Sequence, residues 1–141
     1  MSRNYESAPQ NFAYCLNEQC SQSANCLRFQ ARLHIGSTQP FFSILNPLHI
    51  EEQKECSYFR STEPIRCASG MKHLYDNLPH LKAIRIKSLV NKHFSITTLH
   101  RIKTKERLIK PEEIAFIRSV FIQEGITEEP LFDEYIEVIN W

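Results

Sequence analysis

The clearest repeat of apolar positions lies between Pro111 and Glu124, where apolar residues return every three or four positions. This is the spacing of one buried helix face. Pro111 suits the first turn of a helix, and Gly125 is a residue that commonly ends one. The two glutamates after the proline would interact favourably with the positive end of the helix dipole. The pattern predicts a helix whose buried face is formed by Ile114, Ile117, Val120 and Phe121.

Three other stretches carry weaker helical spacing. From Leu78 onward the pattern predicts a helix with Pro79 in its first turn, although the alternation around Ile84 and Ile86 also fits a strand over 82–90. Residues 95–103 fit a helix or a strand equally well. The cysteine-rich segment becomes helical from about Ser23, which places Cys26 in the first turn of that helix.

Extended and irregular structure is predicted elsewhere. Pro40 and Pro47 bound a short strand, residues 48–55 are expected to be exposed, and residues 64–70 are expected to form a loop. The tail, 131–141, is a short amphipathic piece expected to pack back onto the protein. These elements predict an α+β fold in one small domain, 1–141. It is mainly helical, with a minor sheet element, a cysteine-rich metal-binding part at 12–67 and a helical part at 78–141.

Length and composition narrow the functional classes. The chain has 141 residues, of which 42% are hydrophobic, enough for one core. Its formal net charge of +1 gives no overall bias toward nucleic acid. With three glycines it carries no glycine-rich phosphate loop and no dinucleotide motif. No pairing of acids or of cysteine with histidine indicates a reaction, which favours a protein that is not an enzyme.

The first residues are polar and lack the apolar core of a secretion signal. The longest uncharged apolar run, 40–45, is far shorter than the roughly 20 residues that cross a bilayer. We therefore expect a cytoplasmic protein without a membrane partner. In that compartment thiols stay reduced, which disfavours a disulfide framework.

Four of the five cysteines carry the main chemical signal. Cys15, Cys20 and Cys26 fall within twelve positions, among polar residues, and Cys56 follows thirty residues later. Thiols clustered in this way are typical of a loop folded around a soft or borderline metal ion. The alternatives are buried free thiols and regulated disulfide chemistry. The predicted metal ligands are Cys15, Cys20, Cys26 and Cys56.

The identity of the metal is open between two classes. Zinc is the usual occupant of a site with four cysteines, and such a closed site is structural. The spacers of four and five residues are longer than the two-residue spacers of common zinc knuckles, and iron–sulfur clusters accept longer ones. Zinc is favoured over an iron–sulfur cluster. The six histidines are scattered and form no known metal-binding motif.

Basic residues are concentrated between Lys82 and Lys110, where nine lysines and arginines accompany one acid, whereas Glu112 to Trp141 holds eight acids and one arginine. The basic run predicts a face for phosphates, with Arg101, Lys103, Lys105 and Arg107 as candidate nucleic-acid contacts. The alternative is that the acidic segment neutralises it. We expect partial cover, with Arg101 and Arg107 paired to residues in 112–135 and the lysines free.

Several short motifs form a pattern that resembles a known family. They are C-x4-C-x5-C-L-R at 15–28, L-N-P at 45–47, C-S-Y-F-R at 56–60, the basic run from Arg101 to Pro111 and F-D-x-Y at 132–135. Together they resemble an uncharacterised family, a domain of unknown function of gut Bacteroidales, over nearly the whole chain. The resemblance implies no activity. It implies that the four cysteines belong to one pattern and that Cys67 lies outside it.

The sequence thus predicts a small cytoplasmic protein in which a structural four-cysteine metal site supports a binding module. The partner is nucleic acid or another protein. The alternative function is an iron–sulfur protein in electron transfer or redox sensing.

Overall fold

The computed structural model describes residues 4, 5, 8–51 and 56–141. The chain folds into two compact units. The N-terminal unit comprises Met1–Pro64 together with Ile139–Trp141, and the helical unit comprises Ile65–Val138.

The N-terminal unit is built from short elements. Its described residues form strand β1 (Ala13–Tyr14), a 3-10 turn (Ser23–Asn25), helix α1 (Leu27–Arg32), strand β2 (Ser43–Ile44) and helix α2 (Pro47–Glu51). Strands β1 and β2 pair in parallel, with Ala13 opposite Ser43. The predicted strand between the two prolines is therefore confirmed over two residues. Of the segment expected to be exposed, Leu48 and His49 are exposed, but the expectation is wrong for Ile50, which is buried. The structure of 52–55 lies outside the described residues, as does the burial of residue 51.

A small aromatic core holds the N-terminal unit together. Phe12, Tyr14, Leu27 and Ala31 are buried at its centre. Trp141, at the end of the chain, lies edge-on to Phe12 with ring centroids 4.9 Å apart. The last three residues therefore belong with the first part of the chain, which agrees with the expectation that the tail packs back.

The helical unit contains the long elements. These are strand β3 (Ile65–Ser69), helices α3 (His80–His93), α4 (Ile96–Lys103) and α5 (Pro111–Gln123), and strand β4 (Glu134–Val138). Strands β3 and β4 pair antiparallel, with Ile65 opposite Val138 and Ser69 opposite Glu134. The loop predicted at 64–70 is wrong, because β3 finds its partner in a strand far along the chain. Gly70 ends β3 at φ 78°, where a Cβ atom would collide with the Asp133 carboxylate.

The helices agree more closely with the sequence. Residues 82–90 are helical, so the competing strand is wrong there, and 95–103 resolves as a helix capped by the Ser95 hydroxyl, which accepts from the Thr98 N–H at 3.1 Å. Gly125 follows α5 at φ 81°, as its predicted end requires. The four apolar residues expected on the buried face of α5 are all buried. Around them a larger core is completed by Ala68, Ile86, Val90, Ile102, Ile109 and neighbouring apolar side chains.

The α+β class is confirmed: the described residues form five α-helices and two two-stranded sheets. No helix in that part of the chain has the length and apolar character needed to cross a membrane.

Candidate metal centre

All four predicted cysteine ligands line one small cavity of the N-terminal unit. Its volume is about 20 Å³, which is room for about one water-sized sphere. The remaining wall is mixed, with polar side chains from the cysteine loop and apolar ones from Leu45 and Ile50. Residues distant in sequence are thus gathered around a space of atomic size.

Backbone hydrogen bonds bring the two cysteine segments together. The N–H of Leu27 donates to the Arg60 carbonyl at 2.6 Å, and the N–H of Thr62 donates to the Asn25 carbonyl at 3.1 Å. These bonds lie on both sides of Cys26, which bridges to Ser61. The segment that follows Cys56 is therefore attached to the backbone around Cys26.

Each cysteine occupies a position at the edge of an element. Cys15 follows β1 and donates its N–H to the Arg28 carbonyl at 3.1 Å. Cys26 is the residue immediately before α1, one position ahead of the predicted first turn, and is buried like Cys15. Cys20 is the last residue of one turn and Cys56 the first residue of another, and both are half-buried.

The four thiols are chemically suited to bind a metal, but their present arrangement is not that of a metal site. All five cysteines are free thiols, and four thiolates are ligands that zinc or an iron–sulfur cluster prefers. Within residues 4, 5, 8–51 and 56–141, however, no three side chains of His, Cys, Asp or Glu form a group that could hold a metal ion as they stand. The cysteines are gathered but not arranged as ligands.

Arg28 is the residue beside the cysteines to which sequence reasoning gave no role. Its Nη1 donates to the Ala13 carbonyl at 2.8 Å and its Nε to the Tyr58 carbonyl at 2.9 Å. The guanidinium also lies 4.9 Å from the centre of the Phe12 ring. Arg28 therefore joins the segment before Cys15 to the segment after Cys56. The position of Arg28 two residues after Cys26 was the sequence signal that could have indicated this role.

The charge of Arg28 is coupled to three of the cysteines. Burial lowers the pKa of Arg28, as does the nearby charge of Arg60, whereas Cys26, Cys56 and Cys15 act in the opposite direction. The positive charge of Arg28 thus lies beside the thiols of the cysteine cavity.

Cys67, which the sequence places outside the site, belongs to β3 of the helical unit and is 2% exposed. Burial raises the pKa of this thiol, and the charges of Glu112 and Glu113 raise it further. It does not line the cavity of the other four cysteines, and at neutral pH it is a protonated core residue.

The four candidate nucleic-acid contacts lie at the end of α4 and in the segment after it. Arg107 is tied to Glu113 by two hydrogen bonds of 2.7 and 3.1 Å, as expected. Arg101, in contrast, lies 3.9 Å from Glu106 of its own segment. The expectation of free lysines is wrong for Lys105, which lies 3.7 Å from Glu134 and 4.0 Å from Asp133. Lys103 is exposed and has no ion pair among the described residues.

The chain belongs to a family of unknown function, DUF6078, whose sequence profile matches residues 1–141. No curated protein and no solved structure matches the chain.

Proposed function

We propose that the protein is a small cytoplasmic binding module whose N-terminal unit is cross-linked by one zinc ion, held by Cys15, Cys20, Cys26 and Cys56. In this role the ion is structural. Four thiolates leave no open coordination position for a substrate, so the ion supplies folding energy to a short, loop-rich unit.

The observation that carries the proposal is the common cavity of the four cysteines. Two of them, Cys15 and Cys26, are buried, and Arg28 brings positive charge to the same place. A metal site explains why all four thiols line one cavity. Free thiols that were buried independently would have no reason to lie around the same space.

Binding requires the sulfurs to draw closer than they stand. Metal sites are rarely preformed without the ion, because deprotonation and metal binding proceed together with folding. Cys20 and Cys56 lie at the ends of turns and are half-buried, so they are the ligands whose approach disturbs the least packing.

The size of the cavity favours zinc over the iron–sulfur alternative. A space of about 20 Å³ suits one ion, whereas a cluster adds several iron and sulfide ions to the volume that its ligands must enclose. We therefore expect colourless protein with one equivalent of zinc after anaerobic purification. Brown protein that contains iron and sulfide would overturn the choice of zinc.

The site itself is tested by a matched pair of cysteine variants. Cys26→Ser should lose bound zinc, because three thiolates leave the ion incompletely enclosed. Cys67→Ala should keep one equivalent; alanine is the appropriate control because serine would place a new hydroxyl in the buried position of Cys67. Both proteins are analysed for metal by mass spectrometry after gel filtration. Equal loss of zinc from the two variants would contradict the ligand assignment.

A second proposal concerns the partner, with nucleic acid contacted by the basic stretch. The favouring observation is that Arg101, Lys103 and Lys105 are exposed. Because Lys105 and Arg101 lie close to acidic side chains, Lys103 should contribute most to the binding of nucleic-acid phosphates. Lys103→Glu should weaken retention of single-stranded RNA and flatten its salt dependence, since each phosphate contact releases a counterion. Wild-type protein that fails to bind DNA or RNA at low salt would remove this proposal and leave the zinc proposal intact.

A further inference from the structure

A second and much larger cavity lies in the N-terminal unit, apart from the cysteine cavity in its lining. Its volume is about 710 Å³, within the range of sites that bind small organic molecules. It is lined by residues near the start of the chain and by residues of the segment between α1 and β2, together with Tyr14 and Ala31.

Several aromatic rings line this cavity. Tyr5 stacks on His34 with ring centroids 4.8 Å apart, and Tyr14 meets Phe42 edge-on at 5.8 Å. Phe41 also lines the cavity and is 86% exposed. Leaving a phenylalanine ring in water forgoes stabilisation that a stacked partner would recover.

The polar groups of the wall restrict the ligand further. Gln10, Thr38 and Gln39 contribute side-chain amides and a hydroxyl, and no lysine, arginine, aspartate or glutamate lines the cavity among the described residues. Side-chain amides pair with the edges of heteroaromatic rings, as they do with adenine. Among the described lining residues only His34 can carry a positive charge, so a phosphate group finds no lysine or arginine to pair with there.

We propose that this cavity binds an uncharged heteroaromatic molecule of the nucleobase or nucleoside class, stacked on Phe41 and the neighbouring rings with its polar edge toward the amides. Such stacking tolerates different bases because every base offers a flat face. The described lining includes none of the four cysteines of the metal site and none of the four candidate nucleic-acid contacts.

The test uses adenosine as the probe and the full-length protein. Isothermal titration calorimetry should detect binding of adenosine. Binding of adenosine monophosphate should be weaker, because no lysine or arginine among the described lining residues pairs with its phosphate. Trp141, the sole tryptophan, provides a second signal when excited selectively. Tyr5 lines the cavity and lies 6.4 Å edge-on from Trp141, so adenosine should change the emission of Trp141.

Two variants locate the binding. Phe41→Ala should weaken adenosine binding about tenfold, the effect of losing one stacked ring. Leu48→Ala removes another exposed apolar side chain, 72% exposed, which does not line the cavity, and should leave binding unchanged. No detectable binding of adenosine at millimolar concentration would overturn the proposal. So would equal affinity for the monophosphate, or an unchanged affinity in Phe41→Ala.

Discussion

Arg28 shows how one side chain can organise a site to which it contributes no ligand. Its two hydrogen bonds end on carbonyls of different segments, Ala13 and Tyr58, and its charge lies near three thiols. A guanidinium serves this purpose because its donors point in fixed and divergent directions, whereas an ammonium is a single compact donor group.

Arg28→Lys should therefore keep the charge and lose one of the two bridges. We expect lower stability by about 1–2 kcal/mol, since one carbonyl loses a charged donor, and weaker zinc binding in a competition titration with a chromophoric chelator. Arg32→Lys, on the same helix, is the matched control. Arg32 forms an ion pair with Glu18 at 3.5 Å and lies 4.9 Å from the centre of the Phe29 ring, but its side chain bridges no backbone carbonyls among the described residues. Its replacement should therefore change both quantities little. Equal effects of the two variants would assign Arg28 no special role.

Tyr75 carries a polar atom that the helical unit leaves without a partner. Its hydroxyl oxygen is buried and makes no hydrogen bond to the described residues, and burial raises the pKa of Tyr75 to about 12. Because a buried hydroxyl without a partner costs free energy, Tyr75→Phe should stabilise the protein by about 1 kcal/mol. Urea unfolding followed at 222 nm measures the change. Tyr135→Phe, at an exposed tyrosine, should stay within about 0.5 kcal/mol; destabilisation by Tyr75→Phe would show that the hydroxyl has a partner.

At the scale of elements, the start of α5 is fixed by one carboxylate. Glu113 accepts from the backbone N–H of Lys110 at 3.0 Å and from both terminal nitrogens of Arg107. Burial acts to raise the pKa of Glu113, but the hydrogen bonds from Arg107 and Lys110 outweigh it, and the pKa lies below its ordinary value of 4.5.

This arrangement predicts a particular dependence of stability on pH. A carboxyl whose pKa is lowered by folding stabilises the protein above its ordinary pKa, and that contribution is lost as the pH falls through the lower folded value. Glu113→Gln should cost about 2 kcal/mol at pH 7, because it replaces charged hydrogen bonds by neutral ones. The difference from wild type should shrink below about pH 4. Glu112→Gln, in the same turn, is the control and should cost less than about 1 kcal/mol. A Glu113→Gln deficit that persists undiminished at pH 3 would contradict the pKa argument.

How much of each element could be predicted depended on the range of its contacts. Helix α5 carries its own signals of proline, glutamates and glycine, so its start and end, and its buried face, could be read locally. Strand β3 depends on pairing with β4 and on the bridge between Ala68 and Ile109. No residue within 64–70 encodes those partners, and Pro64 and Gly70 favoured a loop instead.

At the scale of the whole molecule, the division into units was harder to foresee. The N-terminal unit ends at Pro64, and Ile139–Trp141 return to it after the helical unit. Cys67 thereby belongs to the helical unit, which explains why it does not line the cavity of the other four. The grouping of Cys15, Cys20, Cys26 and Cys56 followed from their spacing, whereas the bridges through Arg28 and Arg60 depend on tertiary contacts.

The two units provide separate signals for removal of the metal. Trp141 reports on the N-terminal unit, where it packs on Phe12, and the three longest helices lie in the helical unit. If zinc stabilises only the unit that contains its ligands, a strong chelator should shift Trp141 emission to longer wavelength. Ellipticity at 222 nm should fall little, because the helical unit keeps its own buried core.

Readdition of zinc should restore the emission of the wild-type protein but not that of Cys26→Ser, which provides the matched control. Unchanged emission after removal of zinc from loaded protein would show that the ion has no structural role. A simultaneous loss of both signals would show that the two units unfold as one cooperative body, and would confine the effect of zinc to overall stability.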